Sequence, residues 1–477
     1  MGSSRADTRR GAGQAWNTSQ RSRRASSVLY PGPAYEPLSN PTMVEKVQAT
    51  TAKPPSASIR KRRFTVLAAR LCGLLLCHFI AMTAAAEVVI DADYPGGNII
   101  LERTEGDTIY LRQDIRDSSW WFYWNFRVRG AAGRTLRFQF TNKDVIDLQG
   151  PAVSMDEGAS WTWLGSGSVK AATFTYTFGA EADSVRFCYA IPYLEADLLR
   201  FLAGYKDHPH LAVETLCQDR SGRDVERLRL GKIEGEPQYR VALTNRHHSC
   251  EMMTSWVLEG IMAAILADDE DGRWFQQNVE VVAVPFMDKD GVEAGDQGKN
   301  RRPHDHARDY TYTPIYPSVQ AVMKFLPAWS EGKLRIALDL HDPFIRDNKI
   351  FWVHNPDEPY RANTRAFLAH LDAVQQGPLK YSPANDKVWP SNWKGWDKTP
   401  MAWFRTLPGV TVSTALELPY STNAGMQVTP ERCRAFGHDI ARAIRRYLLT
   451  DPEPPGDDAP PDSGPGCPSS PALLSPD

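Results

Sequence analysis

Short, continuously apolar runs separated by helical patterns dominate the second half of this 477-residue chain. Four such runs cover residues 239–243, 279–286, 334–340 and 410–418. Helical patterns begin at residue 194 and recur at residues 251–267, 317–328, 360–374 and 430–449. Strands that are apolar on both faces and alternate with helices build a mostly parallel sheet covered by helices on both sides. Residues 194–450 are therefore predicted to form an α/β domain.

Residues 87–193 have a different pattern, in which apolar and polar side chains alternate. The alternation is clearest at residues 120–130, 136–140 and 174–178, and Gly- and Pro-rich turns separate these stretches. A period of two predicts an antiparallel β-sandwich ahead of the α/β domain. The many aromatic residues fit either a sugar-binding face or the core of the sandwich, and the core is the commoner arrangement.

The two ends of the chain differ from this body. Residues 1–60 are rich in Ser, Arg, Pro and Ala, and residues 451–477 in Pro and acidic residues, so we expect two disordered tails. Residues 61–86 run from a basic cluster through an apolar stretch to three alanines, which is the order of a secretory signal peptide. This segment, with Met43 as an alternative start, predicts a secreted or periplasmic protein without a membrane span in its mature form. A cytoplasmic protein with a basic tail is the alternative.

Charge and cysteine usage exclude several classes of protein. The formal net charge is −2, and because the first 86 residues are basic, the body is acidic. An acidic body argues against nucleic acid as a partner, since phosphate binding needs a basic face. The body cysteines are scattered without a Cys-x-x-Cys motif, which argues against a cysteine zinc site and a disulfide scaffold.

Polar residues at the ends of three apolar runs are candidates for a metal site. His248 and Glu251 lie three positions apart where the first run passes into a helix, a spacing that lets both bind one cation. A surface turn with a glutamate favoured by the helix dipole is the alternative. His341 follows the third run. It is either a third metal ligand or a hydrogen-bonded histidine of the core. Glu417, in the fourth run, is costly to bury unless it is paired or functional, and it suits a general base.

A loop rich in Arg, Gly, Pro and Asp lies between these runs, at residues 298–310. Its arginines suit the binding of a carboxylate or of a developing oxyanion. A solvated basic loop is the alternative.

In this order along the chain, several blocks resemble the zinc metallocarboxypeptidases, and most closely the cytosolic carboxypeptidases. The blocks are His248-Ser249-Cys250-Glu251, Val284 to Val292, Asn300-Arg301, Asp305 to Tyr310, Asp339-Leu340-His341 and Leu416-Glu417. The resemblance covers roughly residues 95–450 and is far more specific than any single block. It implies a carboxypeptidase-like α/β fold preceded by a β-domain, and a metal-dependent peptidase.

The resemblance also implies roles for individual residues. His248, Glu251 and His341 would bind Zn²⁺, and Glu417 would act as the general base. Arg301 or Arg302 would stabilise the oxyanion, and the motif does not choose between them. Arg308 would hold the C-terminal carboxylate of the substrate.

Two positions depart from the family pattern. Ala307 replaces an asparagine that usually precedes the clamping arginine, which removes a hydrogen bond to the substrate of roughly 1–3 kcal/mol. Ser249 and Cys250 replace the usual Pro-Gly, and Cys250 is interpreted as a bystander. The residue that caps the substrate is not evident, although Trp393 and Trp396 lie in the corresponding stretch.

The favoured function is a zinc carboxypeptidase that removes single residues from peptide or protein C-termini. Two alternatives remain. One is a zinc deacylase of N-acyl amino acids, similar to desuccinylases and aspartoacylases. The other is a catalytically weak protein that binds C-terminal tails, which Ala307 alone supports. Arg346 either favours acidic C-terminal side chains or lies at the surface.

Overall fold

The computed structural model describes residues 87–119, 122–389 and 395–450. The two predicted tails and the signal-like segment at residues 61–86 lie outside the described residues. Among the helices of the described part, none combines the length and the apolar character needed to span a bilayer.

Ten short strands open the described chain and form two five-stranded sheets. They are β1 (Val89–Asp91), β2 (Ile100–Glu105), β3 (Thr108–Arg112), β4 (Asn125–Arg129), β5 (Thr135–Phe140), β6 (Ala152–Ser154), β7 (Thr162–Trp163), β8 (Val169–Lys170), β9 (Thr173–Thr177) and β10 (Ser184–Cys188). The sheet β1-β4-β10-β6-β7 is antiparallel throughout. In the sheet β2-β3-β5-β9-β8, the strands β3 and β5 run parallel, which differs from the wholly antiparallel pairing predicted.

Aromatic side chains from both sheets share one core. Along β5, Leu136 and Phe138 are fully buried whereas Arg137 between them is exposed, as a period of two requires. The Phe138 ring lies 5.6 Å from the Phe126 ring of β4 and 5.3 Å from the Phe187 ring of β10. These aromatic side chains are therefore core residues and do not form an exposed binding face.

The apolar runs build an eight-stranded mixed sheet in the order β11-β12-β14-β13-β15-β18-β16-β17. Its strands are β11 (Leu211–Gln218), β12 (Asp224–Gly231), β13 (Tyr239–Asn245), β14 (Val279–Val284), β15 (Leu334–His341), β16 (Phe351–His354), β17 (Lys387–Val388) and β18 (Val412–Glu417). The central strands β14, β13, β15 and β18 are parallel, and β12 and β16 flank them antiparallel. A small hairpin follows, with β19 (Thr422–Asn423) and β20 (Met426–Gln427).

Eight α-helices accompany the strands in the described residues. They are α1 (Glu195–Ala203), α2 (Met253–Leu266), α3 (Glu270–Asn278), α4 (Lys289–Ala294), α5 (Pro317–Ser330), α6 (Glu358–Val374), α7 (Pro400–Phe404) and α8 (Pro430–Leu448). Short 3-10 helices cover Ser166–Ser168, His306–Arg308, Pro383–Asn385 and Trp396–Lys398. Thr429 caps α8 by accepting a hydrogen bond from the Arg432 backbone N–H.

The parallel centre of the sheet determines where polar residues meet. The four runs predicted as strands are β13, β14, β15 and β18, and because they are parallel, their carboxyl ends share one edge. At that edge Asn245 pairs with Leu340, and His341 pairs with Glu417. Residues that are far apart in the sequence are therefore neighbours at this edge.

The apolar core continues from the first ten strands into the α/β body. The Tyr420 ring lies 5.2 Å from the Tyr189 ring and 5.7 Å from the Phe122 ring. Arg346 donates to Asp144 over 2.6 Å, which ties the loop after β15 to the β-rich segment. The boundary between residues 193 and 194 stays a prediction.

Candidate metal centre

Three buried side chains converge at the carboxyl edge of the sheet. His248 Nδ1 lies 2.8 Å from Glu251 Oε1, and His341 Nδ1 lies 2.6 Å from Glu251 Oε2. One ligand atom from each of the three residues lies within 4.8 Å of the other two. Two imidazole nitrogens and one carboxylate thus face a common point.

The turn after β13 positions the first two of these residues. Arg246, fully buried and with a φ of 60°, donates to the backbone carbonyl of Ser249 and to that of Tyr193. Asp342, directly after His341, accepts hydrogen bonds from the backbone N–H groups of Met253 (2.7 Å) and Thr254 (3.1 Å). Because this carboxylate caps the start of α2, it links the end of β15 to the helix that follows Glu251.

Further carboxylates stand behind the imidazoles. Asp339 Oδ2 lies 2.7 Å from His341 Nε2, and Asp339 Oδ1 lies 2.7 Å from His247 Nδ1. Asp305 Oδ2 lies 3.5 Å from His248 Nε2. A carboxylate on the outer nitrogen of a histidine fixes the ring so that the other nitrogen faces a metal. His341 has this arrangement through its hydrogen bond to Asp339, whereas His248 has Asp305 nearby without a hydrogen bond in the described part of the chain.

The charges at this point favour a bound cation. Burial opposes ionisation of Glu251, but His248, Lys299 and His341 together hold the pKa of its carboxyl well below the ordinary value. Burial also opposes ionisation of His341, but Asp339 and Glu251 outweigh it and hold the pKa of this imidazole well above the ordinary value. Acidic groups thus stabilise positive charge where a metal ion would bind. Two imidazoles with one carboxylate form a ligand set of catalytic zinc sites, so the residues fit this ion.

In a second cluster, formed by His247, Asp339 and His341, one ligand atom from each residue also lies within 4.8 Å of the other two. It shares His341 with the first cluster. His247 Nε2 lies 2.9 Å from the Tyr310 hydroxyl, so both nitrogens of this imidazole have partners in the protein. We therefore interpret Asp339 as the residue that orients the His341 ring, and His247 as a hydrogen-bond partner of Asp339.

Glu417 lies next to this centre. In the described part of the chain its Oε2 has no hydrogen-bond partner, although the atom itself is buried. Burial raises the pKa of the Glu417 carboxyl, Lys299 opposes the shift, and Glu251 adds to it. A carboxylate with an oxygen that makes no hydrogen bond can accept a proton, so Glu417 has the chemistry of a general base.

A cavity of about 420 Å³ opens onto the centre. His248, His341 and Glu417 line it together with Lys299 and Arg308. The rest of its wall is largely apolar and aromatic, with Pro343, Phe344, Phe351, Val353, Val388, Trp389, Trp396, Pro400, Met401 and Ala415. An apolar cavity of this size with a few convergent polar groups is typical of a site that binds a small ligand.

Only some of the site residues predicted in the arginine-rich loop line the cavity. Ala307 and Arg308, in the 3-10 helix His306–Arg308, both line it. Arg301 does not, because its guanidinium contacts Asp288, Asp296 and Asp117.

Arg302 is exposed and also lies outside the residues that line the cavity. The structure thus brings neither arginine that was predicted for the oxyanion to the cavity. Their catalytic role stays a prediction.

The other residues singled out from the sequence have clear positions. Cys250 is buried, accepts a hydrogen bond from the Gln297 amide and belongs to neither cluster of metal-ligand candidates. Trp396 lines the cavity, whereas Trp393 lies outside the described residues. Arg346 bonds to Asp144 and to the Ile146 carbonyl and is not among the residues that line the cavity, which removes its support for an acidic preference.

Lys299, Asp305 and Asp342 were not recognised from the sequence as contributors to the centre. Lys299 lies in the loop from which only the arginines were considered, and its neighbours Gly298 and Asn300 both adopt a left-handed φ. Glycine and asparagine around a lone lysine are a turn signal that could have indicated a sharply directed side chain.

Comparisons with known proteins agree with the predicted resemblance. Mouse cytosolic carboxypeptidase 3 is 25% identical over 203 residues, which cover 40% of this chain and 20% of that protein. Human cytosolic carboxypeptidase 2 is 26% identical over 233 residues, which cover 45% of this chain and 25% of that protein. The chain thus spans only a fifth to a quarter of the length of these relatives. No protein-family model matches the chain.

Solved structures show the same fold. A metallo-carboxypeptidase from Burkholderia cenocepacia superposes with a TM-score of 0.66 and 22% identity over 77% of this chain and 100% of that one. A metallo-carboxypeptidase from Pseudomonas aeruginosa was solved with (2-guanidinoethylmercapto)succinic acid. It superposes with a TM-score of 0.62 and 19% identity over 76% of this chain and 99% of that one. The predicted resemblance to metallocarboxypeptidases near the cytosolic branch, and the mixed α/β fold, are confirmed.

Proposed function

We propose that this relative of the metallocarboxypeptidases is a zinc-dependent carboxypeptidase that hydrolyses the C-terminal peptide bond of peptides or proteins. The observation that carries the proposal is the position of Glu417. Its carboxylate has an oxygen without a hydrogen bond, lies beside His341 in the sheet, and faces the cavity that Arg308 also lines.

Each residue has a separate role in the proposed reaction. Arg308 binds the terminal carboxylate of the substrate and thereby fixes which peptide bond lies over the centre. His248, Glu251 and His341 would hold the metal, which would supply Lewis-acid chemistry and a lowered pKa of bound water. Glu417 takes a proton from the attacking water as the water oxygen bonds to the carbonyl carbon. Glu417 then protonates the amine nitrogen as the C–N bond breaks, releasing the last amino acid.

The wall of the cavity supports a preference for apolar C-terminal side chains. Phe351, Val353, Met401 and Ala415 belong to one buried apolar cluster and also line the cavity. Lys387 also lines it, but its ammonium lies 3.6 Å from the Phe351 ring and 3.7 Å from the Asp347 carboxylate. An apolar wall favours an apolar side chain by roughly 25 cal/mol for each Å² of buried surface.

One experiment tests the reaction and the preference together. Wild-type protein and Glu417→Gln, both loaded with zinc, are incubated with a peptide library that carries every C-terminal residue and with N-acyl amino acids. We expect the wild type to release single residues, apolar ones fastest, and Glu417→Gln to retain zinc but lose turnover. Hydrolysis of acyl amino acids without peptide cleavage would instead indicate a deacylase. Zinc-loaded wild type without turnover on any of these substrates would contradict both the peptidase and the deacylase function.

The domain organisation belongs to the same proposal. We propose that residues 87–193 form a β-sandwich domain that supports the catalytic domain at residues 194–450. The packing of Phe122 against the cavity residue Phe344, at a ring distance of 5.7 Å, supports this. The cellular location stays a prediction: the signal-like segment lies outside the described residues, and the matched relatives are named cytosolic. Mass spectrometry of the purified protein and cell fractionation test export.

A further inference from the structure

Lys299 places a cation at the metal centre itself. Its ammonium lies 2.8 Å from Glu251 Oε1, and its side chain, 23% exposed, lines the cavity together with Glu417. Within the loop at residues 298–310, Lys299 and Arg308 are the lysine and arginine side chains that line this cavity.

The loop is built to hold Lys299 in this position. Gly298 has a φ of +71°, and a Cβ there would lie only 2.3 Å from Ser249 Oγ. The close approach to the turn that carries His248 and Glu251 therefore requires glycine. On the other side, the Asn300 backbone N–H donates to Asp305 Oδ2 over 2.9 Å. The same carboxylate oxygen lies 3.5 Å from His248 Nε2. Gly298 therefore packs closely against Ser249, and Asn300 is hydrogen-bonded to an aspartate that lies near His248.

The nearby Arg301 binds carboxylates outside the cavity. Arg301 donates to Asp296 over 2.8 Å and lies 3.2 Å from Asp288 and 3.6 Å from Asp117. Removing this guanidinium would leave the buried Asp288 carboxylate without the positive charge that compensates it. Arg301 is thus a structural residue in this arrangement, and Lys299 is the cation that the loop presents to the centre.

We propose that Lys299 stabilises the negative charge that develops on the carbonyl oxygen of the scissile bond. This inference rests on the proposed carboxypeptidase function and assigns to Lys299 the role that the resemblance gave to Arg301 or Arg302. An ammonium is a compact point charge, which acts on a developing oxyanion without the two-pronged geometry of a guanidinium. In a partly water-excluded cavity, such a fixed charge favours the transition state over the ground state.

The test compares Lys299→Ala, Lys299→Arg and Lys387→Ala with the wild type, each loaded with zinc and with its zinc content measured. The readouts are kcat, KM, the inhibition constant of a phosphinic peptide that mimics the tetrahedral intermediate, and the inhibition constant of the free C-terminal amino acid. Lys387 is the matched control, because it lines the same cavity but contacts Asp347 and Phe351 instead of Glu251.

We expect Lys299→Ala to keep its zinc and KM while kcat falls by roughly 10²–10³-fold. Binding of the phosphinic peptide should weaken in parallel, and binding of the amino acid should not change. Lys299→Arg should retain most of kcat, and Lys387→Ala should leave the ratio of the two inhibition constants unchanged.

Several results would overturn the assignment. Loss of zinc from both Lys299 variants would mean that Lys299 only supports Glu251. An unchanged kcat, or a lower kcat with undiminished binding of the phosphinic peptide, would also refute it. Wild type that cleaves no peptide would refute the proposed function itself, whereas active wild type with an equally active Lys299→Ala would refute only the role of Lys299.

Discussion

Asp339 offers a direct test of how the proposed metal ligands are oriented. It is 1% exposed and holds two imidazoles, with 2.7 Å to His341 Nε2 and 2.7 Å to His247 Nδ1, and it accepts a hydrogen bond from the Thr244 hydroxyl. Asp339→Asn keeps the shape but removes the charge and replaces one acceptor oxygen by an amide donor. Loss of such a supporting carboxylate weakens metal binding roughly 10–100-fold.

Weaker zinc binding lowers the stability of the zinc-loaded protein. Zinc stabilises the folded protein in proportion to the logarithm of its concentration divided by Kd, and each tenfold loss of affinity removes about 1.4 kcal/mol at saturating zinc. We therefore expect Asp339→Asn to lose about 1.4–2.8 kcal/mol of the stabilisation that zinc adds. Any change in the stability of the metal-free protein is separate, and denaturation without zinc measures it.

The assay is a competition titration against a zinc chelator, combined with denaturation of each protein with and without zinc. Asp347→Asn is the matched control, since this carboxylate also lines the cavity but pairs with Lys387. Its zinc affinity should equal that of the wild type. If Asp339→Asn bound zinc as tightly as the wild type, even with a destabilised metal-free fold, the proposed orientation of His341 by Asp339 would be refuted.

Three further predictions concern the loop at residues 306–308. Ala307→Asn adds an amide beside Arg308 in the cavity, so KM should fall roughly tenfold, and an unchanged KM in steady-state kinetics would mean that the loop does not bind the substrate carboxylate. Arg308→Ala should raise KM by roughly 10–100-fold, whereas Arg365→Ala on the exposed face of α6 should leave it unchanged. Burial lowers the pKa of His306 to about 4, so the unfolded chain takes up the proton first as the pH falls. Between pH 7 and pH 5 the protein should thus lose about 2 kcal/mol of unfolding free energy through this group. His306→Phe, which retains a ring against Tyr316, should show a correspondingly shallower pH dependence in denaturant titrations, and equal slopes would contradict the assignment.

The secondary structure around the centre could be predicted because it depends on local patterns. The run at residues 334–340 is β15 almost to the residue, and the helix predicted at 430–449 is α8. Continuous apolar runs and capping residues are short-range signals, so a single sequence suffices. The parallel pair β3 and β5 was not predicted, because strand pairing over distance leaves no local pattern.

The sequence determined by itself which chemical groups are available: two histidines and two glutamates at the ends of apolar runs, in an order that resembles a known family. It could not determine which cation of the following loop reaches them. Arg301 and Lys299 are two residues apart, yet one is enclosed by three aspartates and the other contacts Glu251. That choice depends on the left-handed turn at Gly298 and on the positions that the fold gives to Asp117, Asp288 and Asp296. Because the energy of a buried charge is set by its neighbours in space, only the tertiary structure decides it.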